Sequence, residues 1–148
     1  MKVFKVKEQY GLKEVASYLL KLAVDENVGL FAFQGDLGAG KTTLTQEIGS
    51  MLGIDQTIQS PTYILMNEYP IPKHSKFKTL THIDVYRLED IQDSEVFELP
   101  NLLSDTQNLT IIEWADKIQS LLPQKYIQVK IDIQDDIREI TVTLNKND

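Results

Sequence analysis

Gly35-Asp36-Leu37-Gly38-Ala39-Gly40-Lys41-Thr42 spells a complete G-x-x-x-x-G-K-[ST] phosphate-binding loop. The apolar run Leu30-Phe31-Ala32-Phe33 comes just before it, giving the strand, loop and helix order that the motif needs. At ordinary residue usage the pattern arises by chance in a chain this long only about 0.5% of the time. It is therefore read as a nucleoside triphosphate site with Mg2+ rather than as a glycine-rich turn. Gly35, Gly38 and Gly40 let main-chain N–H groups approach phosphate oxygens. Lys41 supplies a point charge to the β- and γ-phosphates, Thr42 offers its hydroxyl to Mg2+, and the following helix points its positive end at the same oxygens.

A phosphate loop needs acidic residues to hold or orient Mg2+ and to position water, and two candidates close apolar runs. Leu109-Thr110-Ile111-Ile112-Glu113-Trp114 delivers Glu113 to a strand end, and His82-Ile83-Asp84-Val85-Tyr86-Arg87 does the same with Asp84. Ligands of parallel α/β sheets gather at such ends. Strand alternation puts His82 and Asp84 on one face. Taken alone, either acid could be a solvated strand end. Thr62, in Ser60-Pro61-Thr62, resembles the switch threonine of phosphate-loop enzymes. Trp114 could pack on a nucleotide or serve as a core or interface anchor. Arg87 and Arg138 are the only arginines. Either could clamp phosphates with its planar guanidinium or pair with Glu89, Asp90 or Asp136 nearby.

These residues need a sheet to position them. A short strand is expected at Val3-Phe4-Lys5-Val6, then a helix carrying Leu12, Val15, Ala16, Leu19, Leu20, Leu22 and Ala23 up to a break at Asp25-Glu26-Asn27. Leu30–Gln34 forms the strand into the loop, and Lys41–Leu52 its helix, closed by Gly53. Further strands are expected at Tyr63–Tyr69, Leu80–Val85 and Leu109–Trp114, with helices at Ser94–Leu103 and Ala115–Leu122 that Pro123 ends. Ile127–Ile133 and Ile137–Leu144, flanking Gln134-Asp135-Asp136, read as an antiparallel hairpin. The expectation is an α/β fold of the P-loop NTPase type: a three-layer sandwich with a mixed, mainly parallel central sheet and a C-terminal antiparallel hairpin.

At 148 residues with 42% hydrophobic content, one P-loop domain covering 1–148 is expected. No cysteine is present, which removes disulfides, thiolate zinc sites and a cysteine nucleophile together. Met1-Lys2-Val3-Phe4-Lys5-Val6-Lys7 alternates apolar and basic residues rather than forming the continuous apolar core of a signal peptide, and no run reaches membrane-spanning length. A soluble, cytoplasmic protein is the expectation. The formal net charge of −7 disfavours autonomous binding to DNA or RNA. The one basic cluster, Lys73, His74, Lys76 and Lys78, reads as a solvated loop.

Taken together, the loop Gly35–Thr43, Ser60-Pro61-Thr62-Tyr63, His82-Ile83-Asp84-Val85-Tyr86-Arg87-Leu88 and Glu113-Trp114 resemble the TsaE family in content, order and spacing. TsaE proteins are small bacterial ATPases needed, with TsaD and TsaB, to place a threonylcarbamoyl group on the adenosine next to the anticodon. The resemblance implies ATP and Mg2+ as cofactors, TsaD and TsaB as partners, and tRNA held mainly by those partners. It also implies that Lys41 and Thr42 serve phosphate and Mg2+, that Glu113 is the Walker-B-like acid at the metal, and that Asp84 is the second acid, needed for turnover. Asp36, Leu37, Gly38, Ala39, Gly40, Lys41, Thr42, Thr43, Thr62, Trp114 and Arg138 form the expected nucleotide contacts. Two features depart from the family pattern: no contact is assigned around Glu8–Gly11, and the stretch Pro70–Lys78 is longer and more basic than that pattern leads one to expect.

Three rival functions use the same loop. A small-molecule kinase would add an arginine-rich lid and an acceptor pocket, and two arginines supply neither. A GTPase would use Asn145-Lys146-Asn147-Asp148 as a guanine-reading N-K-x-D motif, but no helix follows it, and Asp84 lacks a glycine three residues on. A nucleotide-gated binding module with little intrinsic turnover overlaps with the ATPase reading.

Overall fold

A strand that is apolar at every position must be covered on both faces, and Leu30–Phe33 satisfies this at the middle of a sheet that has seven strands among the described residues. The structure, a computed structural model, describes residues 1–7, 11–35, 40–58, 66–85 and 99–146, apart from the Lys117 side chain. Its strands are β1 (Lys2–Val6), β2 (Leu30–Gly35), β3 (Met66–Pro70), β4 (Thr79–Asp84), β5 (Asn108–Glu113), β6 (Lys125–Gln134) and β7 (Ile137–Lys146). They lie in the order β1-β7-β6-β2-β5-β4-β3. The four central strands β6, β2, β5 and β4 run parallel. Antiparallel pairs flank them, β6–β7–β1 on one side and β4–β3 on the other.

Period-two alternation in the central strands feeds two cores. Phe31 and Phe33 of β2, with Leu109 and Ile111 of β5, face α1 (Leu12–Glu26) and α2 (Lys41–Met51). Leu30, Ala32 and Ile112 face the opposite layer, where Leu99 of α3 (Leu99–Ser104) and Ala115 and Ile118 of the 3-10 segment Ala115–Leu121 pack. The three-layer α/β sandwich with a parallel centre and a C-terminal antiparallel hairpin is thus the observed architecture.

The element ends differ from the expected ones for local reasons. α1 runs through Asp25 and Glu26, with Lys21 paired to Asp25 one turn on at 2.8 Å. Asn27, left-handed at φ 56, then caps it with its N–H on Ala23 and Val24. α2 stops at Met51, and Gly53 follows at φ 77. The segment expected as an α-helix from Ala115 is instead 3-10, kinked at Ile118. It is confined between left-handed Trp114 and Leu122, which is extended as the residue before Pro123 must be. Within the expected helix Ser94–Leu103 the described part is α3, with Pro100 tolerated in its first turn; residues 94–98 lie outside the described residues, as do 63–65 of the strand now seen as β3.

The hairpin has a consequence for the site. Gly35, the last residue of β2, pairs with Ile131, yet β6 continues to Gln134, and Asp135 at φ 57 turns the chain into β7. The hairpin tip therefore overhangs the carboxyl end of β2. Arg138 sits in that overhang, opposite Ile133 on one side and Val6 on the other.

Candidate active site

The carboxyl ends of β5 and β4 are level, and β2 runs two residues beyond them to Gly35. Glu113 of β5 pairs with Phe33 on one side and with Asp84 on the other, so both sequence-identified acids stand side by side at the strand ends where α/β ligands bind. Gly40, at φ 99 and ψ 20, opens α2 directly after the phosphate loop. That left-handed conformation strains any residue with a Cβ. Room is short as well: a Cβ on Gly40 would stand 3.1 Å from Arg138 Nε and 3.2 Å from its Cζ. The guanidinium of Arg138 is thus laid against the phosphate loop by the overhanging hairpin.

Lys41 is only 5% exposed. A buried ammonium needs partners: its Nζ donates to the Gly35 carbonyl at 2.7 Å and sits 3.7 Å from the centroid of the Trp114 ring, a close cation–π contact. Trp114 reaches that position by taking φ 62, ψ 35 directly after β5. A bulky residue in the left-handed region costs about 1 kcal/mol or more, and here the turn swings the indole from the strand end onto the phosphate-loop lysine.

Thr42 Oγ1 lies 3.5 Å from Glu113 Oε1, a long contact aimed at the carboxylate. The other carboxylate oxygen, Oε2, is 2.7 Å from His82 Nε2. Glu113 is 3% exposed and His82 fully buried. Among the described residues no group of three histidine or carboxylate side chains forms a ready metal cage. The donors present nonetheless suit Mg2+, a hard cation that takes one or two protein oxygens and completes its shell with phosphate oxygens and water. A threonine hydroxyl facing a carboxylate oxygen is such a set.

Lys41, Thr42, Asp84, Glu113, Trp114, Gly40 and Arg138 are therefore gathered at one end of the sheet. Thr43 follows in the first turn of α2, half-buried. Asp36, Leu37, Gly38, Ala39 and Thr62 lie outside the described residues, as does Arg87. His82 was legible as sharing a face with Asp84 but not as the partner of Glu113, which sits diagonally across the β4–β5 pair.

Two other sequence features lie elsewhere. The basic loop joins β3 to β4 at the amino end of β4, about 17 Å along the strand from Asp84. It is tied down locally: His74 Nδ1 accepts the N–H groups of Lys76 and Phe77 at 3.0 Å each, Lys76 Nζ bonds the Asn27 side chain, and Lys78 Nζ donates to the His74 carbonyl. Asn145 and Lys146 also fall at the far end: Lys146 pairs with Lys125, six residues or about 20 Å along β6 from the Gly35 level. A guanine-reading motif there could not reach a nucleotide on Lys41.

The family model described as threonylcarbamoyl adenosine biosynthesis protein TsaE matches residues 6–140. The chain belongs to the TsaE family. The tRNA threonylcarbamoyladenosine biosynthesis protein TsaE of Haemophilus influenzae is 38% identical over 135 residues, 91% of this chain and 82% of the relative. Its namesake from Bacillus subtilis is 40% identical over 115 residues, 77% and 68% of the two chains. Among solved structures, the crystal structure of Bacillus subtilis YdiB superposes with a TM-score of 0.67 at 28% identity, covering 99% of this chain and 86% of that one. Among the described residues no helix of this TsaE-family chain is long and apolar enough to cross a membrane.

Proposed function

We propose that this chain is a Mg2+-dependent, ATP-binding ATPase, a single P-loop domain over residues 1–148. In this reading it acts in the cytoplasm with TsaB and TsaD in threonylcarbamoylation of the adenosine next to the anticodon of tRNAs reading codons that start with A. The observation that supports it most is the convergence of Lys41, Thr42 and Glu113, with Asp84 adjacent to Glu113, at the carboxyl end of three parallel strands.

The arrangement suits phosphoryl transfer to water, where catalysis is positioning and charge neutralisation rather than covalent chemistry. On nucleotide arrival Lys41 Nζ exchanges the Gly35 carbonyl and the Trp114 face for β- and γ-phosphate oxygens. Arg138, already against Gly40, adds a second cation over the loop. Thr42 and Glu113 would hold Mg2+, which when bound would supply charge neutralisation to the phosphates. Asp84, half-buried beside Glu113 at the strand end, is the acid that serves the attacking water in an in-line displacement releasing ADP and phosphate. The acidic chain leaves tRNA to its partners.

Phosphate release measured with and without TsaB and TsaD tests the coupling: stimulation by the partners is expected, and an unchanged rate would sink the partnered reading. Arg138→Ala is expected to weaken nucleotide binding about ten-fold, roughly 1.4 kcal/mol, as loss of one charge-assisted phosphate contact. Isothermal titration checks this, and an unaltered affinity would return Arg138 to a packing role.

A further inference from the structure

We infer that His82 is a positioning residue for the metal-holding carboxylate: its Nε2–H fixes Glu113 Oε2 so that Oε1 alone is presented to Thr42 and to Mg2+. The inference rests on the Mg2+–nucleotide reading above and extends it to a residue outside the phosphate loop and the two acids.

Three observations carry it. The His82 Nε2 to Glu113 Oε2 separation is 2.7 Å, short for a nitrogen donor and typical of a bond to a charged acceptor. Both side chains are buried, so no solvent competes for the bond, and a carboxylate this buried needs a donor of its own. The two carboxylate oxygens also have different neighbours, with His82 on Oε2 and the Thr42 hydroxyl on Oε1. One oxygen is thereby anchored and the other aimed.

The ring's second nitrogen sharpens the assignment. His82 Nδ1 is buried without a hydrogen-bond partner among the described residues. A stranded N–H costs more than a stranded lone pair that merely goes unused. The arrangement therefore favours the Nε2–H tautomer, in which the ring serves Glu113 and nothing else. His82 touches neither Thr42 nor the phosphate loop through any hydrogen bond among those described, so its effect on the site passes through Glu113. Outer-shell partners of this kind set the orientation of metal-holding groups, and their loss costs about 10- to 100-fold in metal affinity.

The test follows Trp114 fluorescence in the full chain while Mg2+ is titrated at fixed ADP, alongside ADP titration in EDTA. His82→Leu is expected to raise the Mg2+ concentration at half-saturation by about ten-fold or more while leaving Mg2+-free ADP affinity within about two-fold. His82→Gln, whose amide nitrogen reaches about as far as Nε2, is expected to recover most of the loss, whereas His82→Asn, with the shorter reach of Nδ1, is not. Should His82→Leu fail to fold, the Gln and Asn variants carry the comparison, because they are alike in polarity and differ in reach. Equal Mg2+ half-saturation in the wild type and His82→Leu, or in the Gln and Asn variants, overturns the inference alone. A wild-type chain whose ADP binding ignores Mg2+ overturns the metal reading, and this inference with it.

Discussion

Lys41→Ala is expected to abolish measurable nucleotide binding, weakening it at least about 100-fold, while the chain still folds. The lysine is the first residue of α2, buried to 5% exposure and held between the Gly35 carbonyl and the Trp114 ring. It is thus preorganised beside the loop rather than sampling solvent, so little rotamer entropy is lost when it meets phosphate. Removing one member of a desolvated charge pair costs about 2–5 kcal/mol in a complex, and 2.7 kcal/mol is 100-fold. The folded state is expected to lose far less, because the Gly35 carbonyl and the Trp114 face that meet the ammonium are neutral groups. Alanine is also a good helix former for that first turn. Isothermal titration with ATP, set beside a thermal melt, reads both effects. Retained ATP affinity in a folded variant would remove Lys41 from the nucleotide site.

Asp84→Ala is expected to behave oppositely, slowing phosphate release by about 100- to 1,000-fold with ATP affinity within about three-fold. Asp84 is half-buried at the end of β4, in register with Glu113, whereas it is Glu113 whose Oε1 faces the Thr42 hydroxyl. A group that serves the water rather than the phosphates stabilises the transition state more than the bound ground state, and its loss appears in kcat. Single-turnover phosphate release compared with equilibrium binding separates the two. Equal loss of binding and turnover would make Asp84 a primary nucleotide or structural residue.

These contrasts depend on parts of the site that were unequally legible in the sequence. The phosphate loop is local: its strand, glycines, lysine and threonine are consecutive, so the motif is legible from their order alone. Glu113 and Asp84 were legible because each closes an apolar run and parallel strands end together; the register that makes them neighbours comes from β4–β5 pairing. The two faces of β2 were likewise readable from an apolar run with no polar break. Arg138 stood 98 positions from Gly40 in sequence, and its approach depends on the hairpin extending three residues past the Gly35–Ile131 pair, which no local pattern encodes. The His82–Glu113 bond is a diagonal contact of the same long-range kind. Trp114 was legible as a neighbour of Glu113, but its left-handed backbone, which carries the indole onto Lys41, was not. The segment after it reads as helical by composition, yet lies between that turn and Pro123 and is 3-10 with a kink at Ile118.

Titration of the purified chain with ATP, GTP and ADP in Mg2+, followed by Trp114 fluorescence, tests the central claim most directly. Trp114 is the only tryptophan, and its ring carries the Lys41 ammonium that phosphate must draw away. Adenine nucleotides are expected to bind in preference to GTP and to change the Trp114 signal as Lys41 leaves its face. Preference for GTP, or adenine nucleotide binding that calorimetry detects while Trp114 stays silent, would contradict the site described.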